Sequence, residues 1–93
     1  MALRFSWDAG KAASKLRKHD VSFPEASSAF GDPLSLTIPD PDHSVGEQRF
    51  LLLGRSDRGR LLIVAHTERG DDVRIISARP ASRSERRQYE EGE

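Results

Sequence analysis

Residues 61–79 constrain the fold of this chain more than any other segment. Residues 61–67, LLIVAHT, form the most apolar run, and residues 73–78, VRIISA, are rich in β-branched side chains. Between them Arg69-Gly70-Asp71-Asp72 supplies the Gly and Asp that a tight reversal needs. Two strands joined by so short a turn pair antiparallel, and the more apolar one reads as the central strand of a sheet. Three arginines, Arg69, Arg74 and Arg79, lie near the turn and along the second strand. Arginine is always charged and can present two parallel N–H donors to a phosphate. Three of them on a rigid sheet suit a polyanion. The competing reading is that they are solvated, or pair with the abundant carboxylates, as with Asp71 or Glu85. Regular alternation along the second strand puts Ser77 and Arg79 on the face opposite Arg74 and Ile76.

The other elements are read from periodicity and capping signals. Residues 4–7 alternate as a short strand does. Asp8 is a good N-cap for a helix over 9–18, which carries a narrow stripe of Ala12, Ala13 and Leu16. Lys11, Lys15 and Lys18 share one face of it. His19-Asp20 ends the helix, with Asp20 suited to a left-handed C-terminal position. Ser22 and Glu25 form a capping-box pattern around Pro24, predicting a second helix over 24–30 that Gly31-Asp32-Pro33 stops. Strands follow over 34–38 and 49–54, separated by a polar, non-helical loop at 39–44. Asp57-Arg58-Gly59 turns the chain into the central strand. Pro80 ends the sheet, and Ser82 to Glu85 forms a second capping box for a final helix over 82–91, polar except for Tyr89. The sum is a single α+β domain spanning 1–93. It has an antiparallel sheet, made of a four-strand meander plus a short N-terminal strand, two N-terminal helices and one C-terminal helix, with the helices gathered on one side.

The formal net charge is zero, but the charge is uneven. Residues 1–48 hold five basic and seven acidic side chains, whereas residues 49–87 hold ten and five. A locally basic second half is masked by Glu90, Glu91 and Glu93 and points to nucleic acid. Charged residues make up 32% of the chain and hydrophobic ones 35%, so the core is lean and a partner is expected to complete its burial. With no cysteine, disulfides, thiolate zinc sites and cysteine nucleophiles are excluded. No segment has the length of a signal-peptide core or a membrane span, so a cytoplasmic protein with no membrane partner is expected. The three histidines are scattered, and Asp40, Asp42 and His43 read as solvated loop residues, so no metal or other cofactor is expected. Neither a nucleophile elbow nor a Gly-rich phosphate loop is present.

What remains is an arginine constellation with a few proton carriers: Glu68, Arg69, Arg74, Arg79, His66 and His19. Metal-free RNA cleavage needs little more. A base takes the proton of the ribose 2′-hydroxyl, cations stabilise the phosphorane, and an acid protonates the leaving oxygen. Lys11, Lys15, Lys18 and Arg83 are the candidate RNA-binding residues. Alternation already implies that not all of the candidates face one site.

At these residues the sequence resembles the BrnT toxins of type II toxin–antitoxin systems. Residues 4–8, RFSWD, with 11–19, KAASKLRKH, Val21-Ser22-Phe23 and Glu25-Ala26 look like the family's opening. Residues 66–70, HTERG, with 74–79, RIISAR, and 85–89, ERRQY, are similar to its second signature. The resemblance implies a RelE-like fold and an endoribonuclease that halts translation. It also implies a BrnA-like antitoxin with a ribbon-helix-helix part, which blocks the toxin and with it represses their shared operon, so that operator DNA is met only through the complex. On the family's pattern His19, Arg69, Arg74 and Arg79 occupy positions suited to an active surface. Asp20 stands where glycine is common, and Pro80 stands where a second basic residue often follows Arg79, which removes a cation from the RNA surface. The alternative is a catalytically silent module that binds antitoxin or RNA.

Overall fold

The computed structural model describes residues 2–43 and 46–92; Ser44, the last residue of the predicted polar loop, lies outside them. The elements are β1 (Arg4–Trp7), α1 (Ala9–His19), α2 (Phe23–Ser28), β2 (Leu36–Pro39), β3 (Arg49–Arg55), β4 (Leu61–Arg69), β5 (Asp72–Pro80) and α3 (Arg83–Glu91). Single 3-10 turns follow α2 (Ala29–Gly31) and β2 (Pro41–His43), the second where a non-helical loop is predicted. The strands form one sheet in the order β1-β5-β4-β3-β2, with the apolar β4 at its centre.

The meander β2 to β5 is antiparallel as expected, but β1 pairs parallel to β5, so the sheet is mixed. Four alternating residues carry no information about strand direction; the tertiary contacts set it. Phe5 and Trp7 stand beside Val73 and Ile75 and pack on the same core. Arg4 Nε donates to Asp72 Oδ1 at 2.6 Å and the Arg4 backbone N–H to Asp71 O at 2.8 Å, which fixes the register. Running with β5, β1 stops halfway along it, and α1 packs against β5 next.

The helix ends follow the sequence. Asp8 Oδ1 accepts from the Lys11 N–H at 2.9 Å. Asp20 is left-handed, with φ 58° and ψ 34°, and its N–H closes on Leu16 O. Ser82 and Glu85 make both halves of a capping box. At α2 the Ser22 hydroxyl caps Glu25 N–H, but the Glu25 carboxylate is taken by Arg60 and Ser56. A guanidinium bonds a carboxylate more strongly than a backbone N–H does.

Two apolar clusters lie on opposite faces of the sheet. Val21, Phe23, Ala26 and Ala29 pack on Leu52, Leu62, Val64, Val73, Ile75 and Ala78. Leu53, Leu61 and Ile63, which alternate with that set, instead meet Tyr89 of α3. The helices are therefore not gathered on one side: α3 sits on the second face and covers only one end of it. Its polar sequence is explained by this shallow seat, since one aromatic side chain carries most of the docking, with Tyr89 Oη donating to Asp32 Oδ2 at 2.7 Å.

Candidate nucleic-acid interface

A single irregularity in β5 organises the uncovered part of the second face. Ser77 pairs with Ala65 and Ile75 with His66, so Ile76 is an extra residue in β5. Such a bulge breaks the period of two. Val73, Ile75 and Ala78 point into the first core, while Arg74, Ile76, Ser77 and Arg79 all line hollows on the other face. The expectation that Arg74 and Arg79 face opposite ways is thus corrected. Regular alternation would separate them, and the bulge restores them to one side.

The hollows share walls and form one groove along β5. At one end is a cleft of about 630 Å³. Ile63, Ala65, Ile76 and Ser77 make its floor, and Arg79, Arg49, Lys11 and Lys15 stand around it, with Asp40 and His43 at the far rim. Lys11, Arg49 and Ile76 continue into a hollow that adds Glu47, Thr67 and Arg74. Thr67 and Arg74 in turn border a third hollow with Arg69, Ser6 and Asp72. Arg74 and Arg79 pair with Thr67 and Ile63, four residues apart on β4, so they stand roughly 13 Å apart along the strand at about 3.3 Å per residue. That is the length of about four stacked nucleotides.

The three hairpin arginines differ in how they are held. Arg79 is half-buried and makes a two-pronged pair with Glu85, Nη1 to Oε1 and Nη2 to Oε2, both at 2.8 Å. The guanidinium pulls the Glu85 carboxyl down to about 2. Arg74 is exposed and makes no hydrogen bond or ion pair among the described residues. Arg69 reaches Glu47 at 2.6 Å in an exposed pair of the kind that contributes little. Pairing with a carboxylate, the bland reading of the arginines, is therefore realised at Arg79 and Arg69.

His19 sits at the end of α1, where desolvation, Lys18, Lys15 and Arg79 together lower its pKa. The lowering favours the neutral imidazole, the form able to accept a proton, although His19 itself lines none of these hollows. Of the predicted lysines, Lys11 and Lys15 line the cleft and Lys18 stands outside its wall. Arg83 is exposed at the first turn of α3 and lines none of these hollows.

His66 and Glu68, expected among the catalytic set, line none of the groove's hollows and lie on the other face of the sheet. They follow Leu62 and Val64 on the first-core face of β4, His66 buried and Glu68 exposed beyond the edge of that core. His66 is fully buried, edge-on to Phe30, with Nδ1 on Val64 O and Nε2 on Glu68 Oε2 at 2.9 Å. It packs as a core histidine with an oxygen acceptor opposite each ring nitrogen. Arg49 was missed by the sequence reading, although its alternation with Leu51 and Leu53 marks it for the same face.

A small α+β domain with a cationic groove beside the bulged strand of a mixed sheet is a class of fold that suits a polyanionic ligand. A family model described as "Ribonuclease toxin, BrnT, of type II toxin-antitoxin system" matches residues 7–85. The chain belongs to this family. The 1.1 Å crystal structure of the Brucella abortus ribonuclease toxin BrnT is similar in fold, with a TM-score of 0.67 and 19% identity over 88% of this chain and 100% of that one. Among curated proteins no sequence matches. No described helix is long and apolar enough to cross a membrane.

Proposed function

We propose that this protein is a metal-independent endoribonuclease toxin that stops translation, with its RNA lying along the groove from Arg69 to Arg79. The observation that carries the reading is the Ile76 bulge, which gives Arg74 and Arg79 a common face beside Lys11 and Lys15. The proposed chemistry is attack of the ribose 2′-oxygen on the adjacent phosphorus. His19 takes the 2′-hydroxyl proton, the O2′–P bond forms, and the P–O5′ bond breaks as its oxygen takes a proton from solvent water. The arginines and lysines stabilise the added charge of the phosphorane, a role worth a few kcal/mol per well-placed donor. The products are a 2′,3′-cyclic phosphate and a 5′-hydroxyl.

The lack of cysteine in the sequence, and of any group of three His, Asp or Glu side chains that could hold a metal among the described residues, supports metal independence. Membership of a toxin–antitoxin family supports a partner, which we take to be a BrnA-like ribbon-helix-helix antitoxin that also carries the complex to its operator. A RelE-like fold and a cytoplasmic site of action complete the reading. Purified protein is expected to cut RNA in excess EDTA and leave cyclic phosphate ends. Activity that vanishes with EDTA and returns only with magnesium would refute the mechanism. Normal growth on strong expression of soluble protein without the antitoxin would count against the toxin.

A further inference from the structure

We infer that Glu85 is the positioning residue that makes Arg79 a fixed phosphate clamp, holding one fork of the guanidinium and leaving the other for RNA. The inference rests on the proposed role of the groove. A guanidinium has five N–H donors. Nη1 of Arg79 uses its two on Glu85 Oε1 and on Pro80 O at 3.2 Å, and Nη2 uses one on Glu85 Oε2. The two that remain are Nε–H and the second Nη2 proton. They are parallel and adjacent, so together they form the complete second fork that a phosphate can accept. Arg79 lines the cleft and its side chain keeps 41% of its exposure, so this edge remains reachable.

Glu85 is itself anchored. Its Oε1 also accepts the Ser82 N–H at 2.7 Å, and α3 is pinned by buried Tyr89. A chain of contacts thus runs from the docked helix through Glu85 to Arg79, whereas Arg74 has no such support. Orienting a donor before the charge develops is what makes it effective in the transition state. The opposite reading is that Glu85 only neutralises Arg79 and competes with RNA. The two readings predict opposite signs.

The test uses the full chain, a short RNA substrate, single-turnover kinetics and thermal melts. Glu85→Ala is expected to lower kcat at least tenfold with KM changed less than threefold, and Glu85→Gln, which keeps one acceptor, to recover part of it. Ser82→Ala breaks the same helix cap without touching Arg79 and is expected to cut at the wild-type rate despite a lower melting temperature. In the wild type the Arg79 15Nε–H signal should shift and exchange more slowly with water on adding RNA blocked by a 2′-O-methyl group. In Glu85→Ala it should broaden and shift less. Unchanged or faster cleavage by Glu85→Ala overturns the inference, as does an equal loss in Ser82→Ala. Wild-type protein that neither cuts RNA nor shifts the Arg79 signal would overturn the groove reading itself. Loss in Arg79→Ala with none in Glu85→Ala overturns only the role of Glu85.

Discussion

At the scale of single residues, Arg74 and Arg79 are chemically alike and differ in what removal exposes. Arg74 is solvent-facing with no bonded partner among the described residues, so Arg74→Ala should leave the melting temperature within a degree or two. If Arg74 stabilises the phosphorane, cleavage should fall about ten- to a hundred-fold. Arg79→Ala should lose both cleavage and stability, because it strands Glu85 beside α3. Unfolding curves measured beside kinetics separate the two, and a destabilised Arg74→Ala would remove it as a clean probe. The same ion pair sets an acid limit. Glu85 titrates at about 2 in the fold against an ordinary 4.5, so its contribution is complete above roughly pH 4.5 and is lost as pH falls toward 2. Glu25, held by Arg60, and Asp72, held by Arg4, are also lowered and act in the same direction. Screened by solvent, the Glu85 share is about 1–2 kcal/mol. Melting temperatures between pH 5 and pH 2 should therefore drop less in Glu85→Gln than in the wild type; parallel slopes would contradict this.

At the scale of elements, the β5 bulge is the feature that sequence alone does not disclose. The hairpin itself is legible, because β-branched runs, a Gly-Asp turn and the apolar β4 are local signals. So are the caps at Asp8, Ser22 and Ser82, whose side chains need only their own neighbours. A bulge depends on how β5 meets β4, and Ile76 has no local mark that sets it apart from Ile75. The parallel pairing of β1 and the burial of His66 beneath Phe30 were hidden for the same reason: each is fixed by residues distant in sequence. Deleting Ile76 tests the bulge directly. Without the extra residue, alternation still sends Ile75 and Ala78 to the core and Arg74, Ser77 and Arg79 to the groove. The deletion variant is thus expected to fold, with a stability loss of about 1–2 kcal/mol from the lost Ile76 contacts. Its two arginines would keep Thr67 and Ile63 as cross-strand partners and so keep their spacing, which predicts cleavage reduced less than in Arg74→Ala. A deletion variant that cannot fold would show that the bulge does not lie at Ile76.

At the scale of the whole molecule, charge and apolar surface meet at one end of the second face. Beside the cationic cleft, Leu36 and Ile38 of the edge strand β2 are exposed next to a shallow hollow lined by Leu51, Leu53, Ile63 and Gln88. Glu85 stands on the border of this hollow, and Leu51 and Ile63 belong to both it and the cleft. A partner that neutralises the toxin by covering the groove would therefore meet cations and unburied apolar side chains together. An antitoxin segment with acidic residues over Arg69, Arg74 and Arg79 and apolar ones beside α3 fits that surface. Binding only the folded toxin, it would raise the melting temperature in proportion to its concentration, and salt would slow association. Amide hydrogen exchange with and without antitoxin is the decisive measurement. Protection is expected in β5, at the β4–β5 turn, along α1 near Lys11 and Lys15, and in α3. Helix α2 packs on the opposite core and should exchange as before. Protection confined to residues 20–30, with the arginine strand unchanged, would mean that the antitoxin inhibits from the far side of the sheet, by a change in shape rather than by covering the groove.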